Sequence, residues 1–271
     1  MVDLRGAAAT TLATLYARAL DARSPHPVLG DAAADRAVAA LDHDWTRLGV
    51  GPRDALGVAV RAKLLDRWTR EFLAAHPDAV VLHLGCGLDS RSERVAPGPD
   101  VLWFDVDQPE VMALRAQVLP AVPGQRSVAA SVLDPAWLAD VPRDRPAFVV
   151  AEGLTMYLPA AEGPALLRRL VAHLRSGGMA FDSWSRLGVR LSRALPVLRR
   201  AGARLDWGID DPHEPERLVP GLRLVEGRSA LRALDPADAA RAPRSFRWQL
   251  AVLARTPLLR DVGHIARYAF G

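Results

Sequence analysis

The sequence predicts an α/β fold, a mostly parallel sheet with crossover helices that follows a helical segment over residues 1–76. Three observations carry that prediction. From residue 79, short apolar runs alternate with helical stretches, the rhythm of strand–helix–strand units. Before it, apolar residues recur at three- and four-residue steps, the period of an amphipathic helix. Half of the 271 residues are apolar, enough to bury a core without disulfides or a structural metal. A lone Cys86 excludes an internal disulfide or a cysteine zinc site.

Helices are expected over Ala7–Ala22, Asp31–Trp45 and Pro52–Ala75, with Pro, Gly and His punctuating the gaps. Val58, Arg61, Leu65, Trp68 and Phe72 share one face of the third, so Arg61 interrupts an apolar stripe. A guanidinium drawn toward a core needs an anion; otherwise it snorkels past the stripe's edge. Strands follow at Val80–Leu84, Val101–Asp105, Ser127–Ala130, Phe148–Ala151 and Met179–Asp182. Helices are expected between them at Pro109–Leu119, Pro135–Ala139 and Pro164–Leu174, the last stopped by Gly177 and Gly178. Residues 185–215, rich in Arg, Pro and Asp, read as an insertion over the sheet. Leu222–Glu226 as a strand, a helix near Phe246–Leu253 and a strand at His264–Phe270 complete the chain.

The charges favour no large anionic partner. Lys63 is the only lysine among 35 basic residues, 31 acidic residues are interspersed with them, and no block of five or six like charges forms. Nucleic-acid binding is therefore not expected. No run of 18 apolar residues and no signal-peptide pattern occurs, so the expectation is a cytoplasmic protein with no membrane partner.

The chemistry gathers at three strand ends. The first strand runs into a turn at Gly85, Cys86 and Gly87, and glycines there let the backbone pass close to a ligand at the sheet's carboxyl edge. A dinucleotide fingerprint needs a third glycine where Ser90 stands, so the turn lacks one feature of a pyrophosphate cradle while suiting an uncharged nucleoside end. Asp107 lies 20 residues after Gly87, where a carboxylate accepts both ribose hydroxyls. Asp105 is its rival, and simple capping of the helix from Pro109 is the plain alternative. Glu152 ends the buried run Phe148–Ala151 at the same edge. It can pair with Arg61, or the two can grip the amino and carboxylate ends of an amino-acid moiety. Cys86, with nothing basic beside it, reads as an inert buried thiol.

Gly85–Arg91, Phe104–Val111 and Glu152-Gly153-Leu154-Thr155-Met156-Tyr157-Leu158 resemble the leucine carboxyl methyltransferase superfamily, in particular its bacterial polyketide-type, tetracenomycin-like O-methyltransferase branch. Supporting matches are Val60–Asp66 and Ser131–Trp137. The resemblance implies a class I, Rossmann-like methyltransferase using S-adenosylmethionine. Its sheet would have seven strands with the last antiparallel, a helical lid over 1–76, and a cofactor domain over 77–271 with a lid insertion near 185–215.

Carried over by position, Arg61 would hold the methionine carboxylate and Glu152, with Gly153, would sit near the amino group. Gly85, Cys86, Gly87 and Asp89 would form the cofactor turn, and Asp107 would take the ribose hydroxyls. Ser131 and Val132 would flank the adenine, Ser131 standing where eukaryotic relatives carry an acidic residue. Tyr16, Tyr157, Trp184 and Trp207 are candidates for the wall of an acceptor pocket, and Arg186 and Arg190 either steer an acidic substrate or face solvent. The acceptor would be a small-molecule carboxylate or phenol. His173, His213 and His264 sit in no recognisable motif, so no catalytic base is assigned. Three alternatives stay open: a carboxyl methyltransferase acting on a protein or peptide C-terminus, a nicotinamide-dependent oxidoreductase on a similar fold, and a non-catalytic relative.

Overall fold

In a computed structural model, described for residues 6–230, 233, 235 and 261–271, the sheet carries the order β3-β2-β1-β4-β5-β7-β6. Its strands are β1 (Val80–Leu84), β2 (Leu102–Asp107), β3 (Gln125–Ala129), β4 (Ala147–Ala151), β5 (Gly177–Trp184), β6 (Arg223–Ser229) and β7 (Gly263–Phe270). The first five run parallel, and β7 lies antiparallel between β5 and β6. β1 and β4 are buried throughout, as the central strands of a sheet covered on both faces must be.

Alternation along β1 divides the core. Val80, Leu82 and Leu84 pack with Trp137, Leu166 and Leu170, while Val81 joins Leu64, Leu65 and Trp68 on the other face. Helix α3 (Pro52–Ala75) supplies that second layer, with Pro at its first turn and Asp54 accepting the Gly51 N–H at 2.9 Å. Helices α1 (Ala7–Ala22) and α2 (Ala32–Ala40) form a third cluster through Leu12, Leu15, Ala34 and Val38.

Several expectations need correction. The second helix ends at Ala40, where Leu41 turns extended, and Asp44 starts a separate 3₁₀ turn over Trp45–Leu48 by accepting the Thr46 N–H. Pro135–Asp140 is also 3₁₀. The helix expected to stop at Gly177 and Gly178 is α6 (Glu162–His173); those glycines open β5, and a Cβ at Gly177 would strike the Ala147 carbonyl. Residues 185–215 contain two short helices, α7 (Arg186–Ser192) and α8 (Pro196–Ala201). Short helices α4 (Arg91–Val95) and α9 (Glu214–Leu218) were not anticipated. The helix expected near Phe246–Leu253 lies outside the described residues. Among the described residues, no helix is long and apolar enough to cross a membrane.

Candidate active site

The carboxyl ends of β1, β2 and β4 open into one cavity of about 820 Å³, walled on the opposite side by α1, the start of α3 and α8. The glycine turn forms because Gly85 and Gly87 adopt positive φ of 61° and 51°, which L-side chains rarely tolerate. A Cβ at Gly87 would also collide with Thr11 of α1. Two side chains of α1 fasten this turn: Leu88 donates its N–H to Thr11 Oγ1 at 2.9 Å, and Arg18 donates to the Leu88 carbonyl at 2.8 Å. From the other side Arg115 of α5 (Pro109–Val118) donates to the Gly87 and Asp89 carbonyls at 3.0 and 2.7 Å.

The two candidate aspartates of β2 separate cleanly. Asp107 lines the cavity and accepts the Gly87 and Gln108 N–H groups, each at 2.7 Å. Burial still pushes its carboxyl above the usual range. Asp105 is fully buried behind the turn, where it accepts from His83 Nδ1 and Trp103 Nε1 at 2.9 Å and from Arg115 at 2.6 Å, with Gln125 also bonded. Burial opposes its charge, yet Arg115 and His83 outweigh this and hold the carboxyl at about 2.

At the far end of the turn the sequence's first alternative is realised: Arg61 Nε donates to Glu152 Oε1 at 3.0 Å. A partner unforeseen in the sequence completes the pairing, since Arg61 Nη1 donates to Asp182 Oδ2 at 2.7 Å. Burial disfavours the guanidinium's charge, but Asp182 and Glu152 more than compensate and raise its pKa. Glu152 also accepts from Arg91, and Arg61 and Arg91 together keep it ionised despite its burial.

Arg91 has no exposed surface. It reaches Asp66 at 2.8 Å, His83 Nε2 at 3.1 Å and Asp89 Oδ2 at 3.2 Å, so one guanidinium ties α3, β1, the turn and the β4 end together. Its approach to Nε2 leaves that nitrogen as acceptor and assigns the His83 proton to Nδ1. Asp89 lines the cavity, and among the described residues its buried Oδ2 accepts no hydrogen bond of good geometry.

Arg61, Gly85, Cys86, Gly87, Asp89, Asp107, Ser131, Val132, Glu152 and Gly153 all line the cavity, as do Tyr157 and Trp184. Tyr16 does not: Thr10, Thr11, Thr14 and Arg18 present the cavity face of α1, while Tyr16 stacks on Trp45 with ring centroids 5.4 Å apart. Trp207 packs in the main core. Cys86 is buried against Met112 Sδ at 3.6 Å, and burial raises its thiol pKa well above normal, consistent with an inert thiol. The three histidines weighed as candidate bases stand elsewhere: His173 is bonded to the Val141 carbonyl, His213 to Glu216, and buried His264 lies outside the cavity lining. Ser90 donates to Asp31 at 2.6 Å and leads into α4, so the place of a third glycine serves helix packing.

A seven-stranded sheet with this order and an antiparallel last strand, bearing its cavity at the carboxyl ends of the parallel strands, is the class I methyltransferase fold, and the family and relatives that the chain matches make it an S-adenosylmethionine-dependent methyltransferase. A candidate methyltransferase from Thermobifida fusca YX shares the fold, with a TM-score of 0.58 at 20% identity over 94% of both chains. The leucine carboxyl methyltransferase family model matches residues 11–171, and the chain belongs to that family. It is 45% identical to the tetracenomycin polyketide synthesis O-methyltransferase TcmP of Streptomyces glaucescens, over 99% of this chain and 98% of that one. The S-adenosyl-L-methionine-dependent methyltransferase dpfgK of Gibberella zeae is 38% identical over 83% of each chain. Family membership sets aside the oxidoreductase alternative.

Proposed function

We propose that this methyltransferase methylates a carboxylate oxygen of a small polyketide-type acceptor. The observation that carries the reading is a single cavity in which the polar residues Arg61, Asp89, Asp107 and Glu152 meet an apolar wall of Met156, Tyr157, Trp184, Leu195, Leu198 and Leu205. The kinship with a polyketide O-methyltransferase over nearly the whole chain supports the acceptor class. In this reading Arg61 binds the methionine carboxylate, the carboxylates of Asp89 and Glu152 face its ammonium, and Asp107 receives the ribose hydroxyls. Gly85, Cys86, Gly87 and Gly153 approach through their backbone, and Ser131 with Val132 flanks the adenine.

S-adenosylmethionine, when bound, supplies an electrophilic methyl group for in-line displacement. The chain's task is then to align the acceptor oxygen and exclude water. A carboxylate arrives ionised and needs no base, whereas a phenol near pKa ~10 gains from one. The lining favours the former. His83 is its only histidine among the described residues and has both nitrogens engaged, and burial pushes the Tyr157 hydroxyl upward so that it stays protonated.

Transfer of radiolabelled methyl to aromatic polyketide acids, compared with phenols of the same ring system whose acid is masked as an amide, tests the proposal. Label on the acids alone supports it, and label on the masked phenols alone overturns the carboxylate assignment. Arg61→Ala and Asp107→Ala should each weaken S-adenosylhomocysteine binding at least tenfold in titration calorimetry. Unchanged affinity in either variant removes that residue from the cofactor site.

A further inference from the structure

Asp182, at the end of β5, belongs to no motif and does not line the cavity, with 3% of its surface exposed. Its two carboxylate oxygens are nevertheless divided between two parts of the site. Oδ2 accepts from Arg61 Nη1 at 2.7 Å, and Oδ1 accepts the Gly153 N–H at 2.6 Å. Its backbone carbonyl accepts from Thr155 Oγ1 at 2.6 Å. Gly153 sits at φ 65° directly after Glu152, so one carboxylate pins both the arginine and the turn that sends Glu152 into the cavity. Arg61 would otherwise be a long side chain with many rotamers at a half-buried position, and ordering such a chain on binding opposes affinity. With Nε on Glu152 and Nη1 on Asp182, the guanidinium plane is set, and among the described residues Nη2 carries no hydrogen bond.

We propose that Asp182 is a positioning residue for the cofactor's amino-acid end: it pre-orients Arg61 and the Glu152–Gly153 turn, and contributes nothing to the nucleoside end. The inference rests on the placement of the methionine carboxylate at Arg61. Preorganisation of this kind strengthens binding by removing an ordering cost that the ligand would otherwise meet. Asp182→Asn retains shape and an oxygen for Gly153 but loses the charge on Arg61.

The test is titration of two probes, S-adenosylhomocysteine and 5′-methylthioadenosine, which lacks the amino-acid end, into the parent, Asp182→Asn, Arg61→Ala and the double variant. Asp182→Asn should weaken S-adenosylhomocysteine about tenfold and leave 5′-methylthioadenosine within twofold. The double variant should bind S-adenosylhomocysteine within twofold of Arg61→Ala, because a residue acting through Arg61 has nothing left to position. Equal weakening of both probes would make Asp182 a general structural residue and overturn the proposal, as would additive losses in the double variant. If Arg61→Ala weakens S-adenosylhomocysteine and Asp182→Asn does not, the proposal alone fails. If Arg61→Ala itself has no effect, the cofactor placement fails and the proposal with it.

Discussion

Asp105 illustrates what a buried carboxylate contributes when its partners are complete. Its pKa near 2 lies below the ~3.9 of an unfolded aspartate, so its share of stability is present above about pH 4 and lost as pH falls toward 2. The difference corresponds to about 2–3 kcal/mol. Urea unfolding of the parent between pH 4 and 2 should show this acid limb, and Asp105→Asn should flatten it; an unchanged slope would refute the account. Arg91 carries the larger burden, since Asp66, Asp89 and Glu152 all lean on it. Arg91→Met leaves these buried charges undercompensated and should cost about 3–5 kcal/mol in denaturant melts. As a residue of the glycine-turn motif Arg91 was visible in the sequence, but its place as a hub was not. Nothing in a linear pattern says that positions 66, 83, 89 and 152 converge on it.

Helices show where local signals suffice. The bounds of α1 and α3 agree with the sequence, because Pro52 starts α3 and a long amphipathic period sustains both. Helices α4, α7, α8 and α9 span five to seven residues, too short for a period to be read. Their positions follow from packing and caps such as Ser185, which accepts the Gly188 N–H. Helix α1 carries a consequence for the proposed cofactor site, since Thr11 supplies the acceptor for the Leu88 N–H inside the glycine turn. Thr11→Val removes that acceptor and should lower stability by about 1 kcal/mol. Amide exchange at Leu88 should quicken and S-adenosylhomocysteine affinity fall several-fold. Parental exchange at Leu88 would show that the helix does not hold the turn.

At the scale of the whole molecule, the nearly balanced charge is unevenly spread. Residues 185–205 carry Arg186, Arg190, Arg193, Arg199, Arg200 and Arg204 and no acidic residue. Arg186 is paired with Asp210 and Glu214, whereas the other five are exposed and make no ion pair among the described residues. The same segment lines the cavity through Leu195–Leu198, Arg200 and Leu205. For an anionic acceptor this rim should raise the encounter rate. kcat/KM for the acceptor should therefore fall as salt rises from 0.05 to ~0.5 M, where screening shortens the reach of charge. An Arg193→Gln/Arg199→Gln/Arg204→Gln variant should lose that dependence, with the KM for S-adenosylmethionine unchanged. A salt response identical in parent and variant would deny the rim a role.

The sequence by itself determined the alternation of strands and helices, the glycine turn and the family. These are legible because positive-φ glycines, caps and periodic apolar faces act within a few residues of chain. Only the tertiary structure decided which of Asp105 and Asp107 faces the cavity, that Tyr16 turns away from it, and that Arg61 is held by an aspartate 121 residues distant. Those outcomes depend on sheet register, such as His83 lying beside Asp105, and on the angle at which helices dock. Buried charges find partners in space, and spatial neighbours at such separations leave no local mark in the chain.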